Sequence, residues 1–216
     1  MRTIFKQTVL VLLVSVSLFS CSKSDTTTIA PLSALIVKDL PADTVLGLSP
    51  TTGAPLYANK FTYYSLENNA VVSIADSSTT KWDLAFASTK ILTNGGTSGI
   101  GKGGAFVFTG LFDDLKTISA DSVFKTDNAA TATYAITTGS GKGWYVYDQL
   151  TSLITPLAGR VLVIRTASGK YAKVEIVSYY KGGVTLASTA SDTDKLSKQR
   201  YYTFRFIYQP NGTKIF

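Results

Sequence analysis

Apolar and polar positions alternate most clearly in the last third of the chain. Arg160-Val-Leu-Val-Ile-Arg165 is an unbroken apolar run between two arginines and reads as a buried strand. Ser168-Gly169 turns it into Tyr171 to Tyr180, where Ala172, Val174 and Ile176 share one face and Lys173 and Glu175 the other. Gly182-Gly183 turns again into a strand-like Val184-Thr-Leu-Ala187. Tyr201 to Tyr208 then places Tyr202, Phe204, Phe206 and Tyr208 on one face. Earlier, Phe61 to Leu66 and Val71 to Ile74 flank Asn68-Asn69 and read as a hairpin. Trp82, Leu84 and Phe86 alternate with Asp83, Ala85 and Ala87, the period-two pattern of a half-buried strand.

Weaker patterns fill the gaps. Leu32 to Val37 fits a short helix or a strand, and Pro41 to Pro55 reads as a loop. Thr109 to Asn128 is irregular and suits a short helix or a long loop over a pocket. Thr131 to Thr137 is β-like, Gly139 to Gly143 is a flexible link, and Trp144 to Tyr147 is β-like again. Asp148 to Ile154 reads as one or two helical turns stopped by Pro156. No stretch repeats at 3.6 residues. Short strands separated by glycine turns predict an all-β, antiparallel sheet domain with few short helical turns.

The Trp82 strand is followed by a break at Asn94-Gly95, a turn signal, and then by Gly96, Gly99, Gly101, Gly103 and Gly104 before β character returns at Ala105-Phe-Val-Phe108. Gly99, Gly101 and Gly104 match the spacing of a dinucleotide fingerprint. That fingerprint needs a helix to open at its last glycine, and Phe106-Val-Phe-Thr109 is β-forming instead. Gly96 to Lys102 spells the start of a phosphate loop, but Gly103 supplies no hydroxyl for Mg²⁺. The glycines are better explained by backbone conformation or close approach that a Cβ would forbid.

Composition changes the picture at the N-terminus. Arg2 and Lys6 precede an apolar run from Thr8 to Phe19, the form of a secretory signal peptide too short to span a membrane comfortably. Leu18-Phe-Ser-Cys21 looks like a bacterial lipobox, so Cys21, the only cysteine, is expected to carry lipid as the mature N-terminus. The expected organisation is a signal peptide over 1–20, a lipidated tether and N-terminal extension over 21–59, and a β domain over 60–216. Without Arg2 and Lys6 the chain has 19 basic and 14 acidic residues, a net charge of +5. The lysines form no run, which argues against a nucleic-acid partner.

Chemistry is scarce. Of the 216 residues none is histidine, which removes the commonest general base and the commonest metal ligand. The acids are scattered, so no metal site is expected. Asp113-Asp114, or Asp192 with Asp194, would be the only carboxylate pairs for glycosidase-type work, and solvated turns explain them better. The chain reads as a non-enzyme. Its 12 Tyr, 11 Phe and 2 Trp suit sheet faces, or a flat apolar ligand site.

Six segments taken in order, Trp82-Asp-Leu-Ala-Phe86, Thr93-Asn-Gly-Gly96, Gly101-x-Gly-Gly-Ala105, Arg165 to Lys173, Ser178-Tyr-Tyr180 and Tyr202 to Gln209, resemble the HmuY family of haem-binding bacterial lipoproteins. The resemblance implies an all-β fold and the role of a cell-surface haemophore on the outer membrane: such a protein takes haem from host haemoproteins and passes it to a TonB-dependent outer-membrane receptor. In the best-known members two histidines hold the iron. One directly follows the Trp-Asp-x-Ala-Phe strand, where this chain has Ala87; some members use methionine, and here the only one is Met1. Tyrosine or lysine is the remaining ligand type. The resemblance places the pocket where Phe86, Ala87, Ser88 and Thr89 meet the segment Thr109 to Lys125, with Lys116 and Lys125 facing the propionates. Burying roughly 300 Å² of porphyrin at about 25 cal/mol/Å² contributes about 7 kcal/mol. Association costs on the order of 4–15 kcal/mol, so haem is expected to bind weakly. The alternative reading is a surface-anchored β module that binds a protein or glycan and no haem.

Overall fold

The structure is a computed structural model that describes residues 32–216; the leader, the lipobox and Cys21 lie outside the described residues. In chain order the strands are β1 (Leu35–Pro41), β2 (Gly47–Leu48), β3 (Pro55–Leu56), β4 (Thr62–Ser65), β5 (Ala70–Val72), β6 (Leu84–Ala87), β7 (Lys90–Thr93), β8 (Gly104–Thr109), β9 (Tyr145–Asp148), β10 (Leu153–Pro156), β11 (Arg160–Arg165), β12 (Tyr171–Tyr180) and β13 (Gln199–Gln209). One helix, α1 (Asp192–Lys198), and a 3-10 turn at Ile74–Asp76 complete the described residues. Every strand pair is antiparallel. The main sheet has the order β1-β13-β12-β11-β8, and a second has the order β5-β4-β6-β7. The all-β antiparallel expectation therefore holds. Among the described residues no helix is long and apolar enough to cross a membrane.

Alternation explains the core. Leu84 and Phe86 of β6 and Tyr64 of β4 meet Leu162, Ile164, Ala172, Val174, Tyr202, Phe204 and Phe206 of the main sheet in one buried cluster. The other face of the main sheet is covered too. Val161 and Val163 pack under Phe112, Leu115 and Ile118 of the irregular segment that follows β8. Burial on both faces is why β11 reads as a continuous apolar run rather than an alternating one. It also buries Lys173, which alternation placed on the face opposite Ala172, Val174 and Ile176. Its ammonium donates to the carbonyls of Phe112 (2.8 Å) and Leu115 (2.7 Å), and burial pushes its pKa down.

Several local expectations change. Leu35–Pro41 is a strand paired with β13, so part of the N-terminal extension belongs to the main sheet. Asp148 to Ile154 is not helical; it is the turn and the ends of the β9–β10 hairpin, with Ser152 at φ 55°. Thr131 to Thr137 and Val184 to Ala187 form no strands. Asp192 and Asp194 lie in the first turn of α1 and pair with Lys195 and Lys198, a helix-capping role.

The Trp82 strand ends at Ala87 as its pattern suggests, but the chain turns before Asn94-Gly95. β6 turns at Ser88-Thr89, with Ser88 at φ 50°, and returns as β7. Asn94 is not a hairpin turn. It is a buried hub whose amide donates to the carbonyls of Thr79 and Trp82 (both 2.8 Å) and whose Oδ1 accepts from Gly101 N (3.0 Å). A Cβ on Gly95 would collide with the Gly103 carbonyl, and one on Gly96 (φ 62°) with the Asp127 carbonyl. The glycines thus permit close backbone approach, as read from the sequence.

Candidate functional site

The β6–β7 turn is held from three directions. Ser88 N donates to Ala42 O (2.9 Å), Tyr202 OH donates to Ser88 O (2.8 Å), and Trp144 Nε1 donates to Thr89 O (3.0 Å). Phe86 lies beneath it, fully buried, stacked on Phe204 at 5.6 Å and 17° and tilted against Tyr202. Phe86 is therefore a core residue. Ala87 is half-buried and pairs with Lys90 across the hairpin.

The two lysines expected at the pocket separate. Lys116 sits in the segment covering the outer face of the main sheet, where its carbonyl accepts from Phe216 N (2.8 Å). Phe86 and Ala87 belong to the other side of that sheet, so Lys116 does not meet them. Lys125 does reach the region. Its backbone pairs with Ala105 (both bonds 2.9 Å), and its side chain borders a cleft of about 330 Å³ lined by Ala132, Thr133, Tyr134, Thr137, Thr138 and Lys142. Lys90, directly after the β6–β7 turn, connects the two. Its ammonium donates to Tyr134 OH at 3.2 Å and lies 4.6 Å from the ring centroid.

Asp127 fixes the cleft wall. The residue is 1% exposed. One carboxylate oxygen accepts from Thr93 N (2.9 Å) on β7 and the other from Ala135 N (2.8 Å). Between them Asn128 and Thr133 exchange backbone hydrogen bonds (2.7 and 3.0 Å) around a turn at Ala129–Ala132. Ala135 and Ile136 anchor the far side in the core. Gly139 and Gly141, both at positive φ, turn the chain into the buried Trp144 and carry Lys142 on the way.

No carboxylate lines the cleft, while Lys125 and Lys142 do and Lys90 stands beside Tyr134. The arrangement suits an anion. Among the described residues no group of three or more His, Cys, Asp or Glu side chains could hold a metal. A second depression of about 290 Å³ lies over β5, but its charges, Asp76 and Lys81, already pair at 2.9 Å. Asp83, in a notch of about 80 Å³, is spent on backbone. Burial raises its pKa against the pull of the Ala167 and Leu66 N–H groups that it binds. Lys90, Tyr134 and Lys142 were not singled out by sequence. Tyr134 and Lys142 lie far along the chain from Lys90, and only the tertiary fold brings Tyr134 to β7.

Comparison with curated proteins finds no match. Among solved structures, a candidate lipoprotein from Bacteroides fragilis is 17% identical, with a TM-score of 0.45 over 69% of this chain and 84% of that one. A candidate HmuY-like haem-binding protein from Bacteroides vulgatus is 19% identical, with a TM-score of 0.44 over 76% and 97%. The apo HmuY analogue of Tannerella forsythia is 16% identical, with a TM-score of 0.43 over 83% and 96%. The family model described as HmuY protein matches residues 57–190, more than half of the chain and a span that includes both the β6–β7 turn and the lysine cleft. The chain belongs to the HmuY family.

Proposed function

We propose that this protein is a lipid-anchored binding protein of the outer-membrane surface, not an enzyme, and that it takes haem or another tetrapyrrole in the cleft between Lys125 and Lys142. The observation that carries this reading is the cleft itself: two lysines and no carboxylate in its lining, with Lys90 joining Tyr134 to the turn that follows Ala87. The residues present fit the propionate edge of the group. Two ammonium groups suit two propionates, the threonines and Ala132 form a wall without charge, and Tyr134 offers an oxygen for ferric iron. Exposed ion pairs contribute about 0–1 kcal/mol each, so haem is expected to bind weakly. Cargo would pass to a TonB-dependent receptor in the same membrane, with Cys21 as the anchor.

Titration with haemin, followed by absorbance, tests the reading. The expected result is a Soret shift that saturates in the micromolar range and weakens about tenfold in K125E/K142E, the loss of two propionate contacts. No spectral change at about 50 µM haemin would favour a second reading, a surface module for a protein or glycan. Val146, Tyr147 and Leu150, exposed on the β9–β10 hairpin, give that reading its support.

A further inference from the structure

Among the described residues β2 and β3 differ from every other strand pair, because neither contains a buried residue. Their hairpin shows Leu46, Leu48 and Leu56 to the outside at 69%, 56% and 47% exposure. Gly47 pairs with Leu56 and Leu48 with Pro55, so Leu48 and Leu56 lie on opposite faces. From Thr44 to Asn59 the chain has no charged residue. The tip closes on its own polar groups: Ser49 N donates to Ala54 O and Gly53 N to Ser49 O (both 2.8 Å), and Thr52 N donates to Ser49 Oγ (3.2 Å). The foot of the hairpin is basic. Asp43 there is neutralised by Arg200 (3.2 Å), which lies over the Tyr57 ring at 3.6 Å, and Lys60 is exposed. An uncharged tip, apolar on both faces above a basic foot, suits the boundary between lipid headgroups and acyl chains. The β9–β10 hairpin does not: Leu150 is 97% exposed, but its N–H is held by the Asp148 carboxylate, a charge that opposes entry into lipid.

We propose that the β2–β3 hairpin is a second membrane contact, with Leu48 and Leu56 entering the acyl boundary of the leaflet that holds the anchor and Lys60 meeting lipid phosphates. The inference rests on the reading of Cys21 as the lipidated residue. Even fully extended, the chain from Cys21 to Leu35 spans no more than about 50 Å, and β1 adds about 20 Å before the hairpin begins. The bilayer therefore stays within reach of the hairpin. A contact too weak to hold free protein at a membrane is intramolecular for an anchored one, and so holds it. The hairpin then fixes which side of the domain faces the lipid, a matter that the tether alone leaves open.

The test places a tryptophan on the hairpin of the full, anchored chain. Trp82 and Trp144 are buried and supply a constant background. Leu48→Trp reports one face of the hairpin and Leu56→Trp the other; all three positions used are exposed, so the fold tolerates the change, and Leu150→Trp on the β9–β10 hairpin is the control. Each chain is reconstituted into vesicles of phosphatidylethanolamine and phosphatidylglycerol, with or without brominated acyl chains, and isolated by flotation. Brominated lipid should quench L48W and L56W at least about twofold more than L150W, because only the first two reach the acyl boundary. If L48W and L56W are quenched no more than L150W while the chains float with the vesicles, the anchor stands and the hairpin contact is overturned. A blue-shifted L48W that bromine does not quench would also overturn it, in favour of a second copy or another protein on the hairpin. Chains that do not float at all would remove the anchor and this inference together.

Discussion

Asp127→Ala should both destabilise the domain and loosen the cleft. The side chain is 1% exposed, and its two oxygens accept from Thr93 N at 2.9 Å and Ala135 N at 2.8 Å. Alanine leaves two buried N–H groups without an acceptor, at about 1–3 kcal/mol each, or about 2–6 kcal/mol together. Against a total of about 5–15 kcal/mol for a folded domain, that is a large fraction. Asp127→Asn keeps one acceptor and turns an NH₂ toward the other N–H, so it should cost roughly half as much. Urea unfolding followed by tryptophan fluorescence measures the global loss. Hydrogen exchange at Thr93 and Ala135 measures the local one, because the wall can open while the sheets stay folded. The order of stability should be wild type, Asn, Ala, with haemin affinity falling in the same order. If Asp127→Ala unfolds within about 0.5 kcal/mol of wild type and those two amides stay protected, Asp127 does not hold the wall.

Lys173→Met should lower stability by about 2–4 kcal/mol, since the Phe112 and Leu115 carbonyls lose their buried donor; an unchanged urea midpoint would refute this. Above about pH 10 the buried tyrosines should make stability fall as pH rises. Buried Tyr64 is pushed up to about 12 and Tyr179 and Tyr202 are also raised, so the unfolded chain loses phenol protons at a pH where the folded chain keeps them. Phenolate absorbance rising near pH 10 while circular dichroism stays native would contradict that, once the exposed tyrosines are accounted for. Ala87→His should tighten haemin binding and shift the Soret band if the β6–β7 turn borders the ligand, and an identical titration would separate Ala87 from the site. Cys21→Ser should move the protein from the detergent phase to the aqueous phase in Triton X-114 partition, and retention in detergent would point to another anchor.

The sheets were legible because their strands carry their own patterns. β13 alternates aromatics over its core face, and β11 is apolar throughout because both its faces are covered. The same double coverage defeated the reading of β12. Alternation set Lys173 opposite the face of Ala172 and Val174, and nothing local announces that Phe112 and Leu115 close over it. Short elements were lost for a different reason. β10 has four residues, too few for a period to show, and α1 has only seven. Its cap is a signal the sequence reading passed over: Ser191 accepts from Asp194 N at 3.1 Å, a Ser followed three residues later by an acid. Of the expected site residues, Ala87, Ser88 and Thr89 share one turn and Lys125 reaches the cleft beside it through Tyr134 and Lys90. Phe86 is core, and Lys116 is on the other side of the main sheet. That assembly depends on Asp127 joining its own segment to β7, a contact across 34 positions of sequence.

The central claim is a place: tetrapyrrole binds between Lys125 and Lys142, against Tyr134 and the β6–β7 turn. Amide hydrogen exchange by mass spectrometry, with and without haemin at saturation, maps that place directly. Protection should appear over residues 125–142 and 87–93 and leave the β1 edge and the segment 43–62 unchanged. Protection confined to residues 43–62, or to 109–118 around Lys116, would contradict the account.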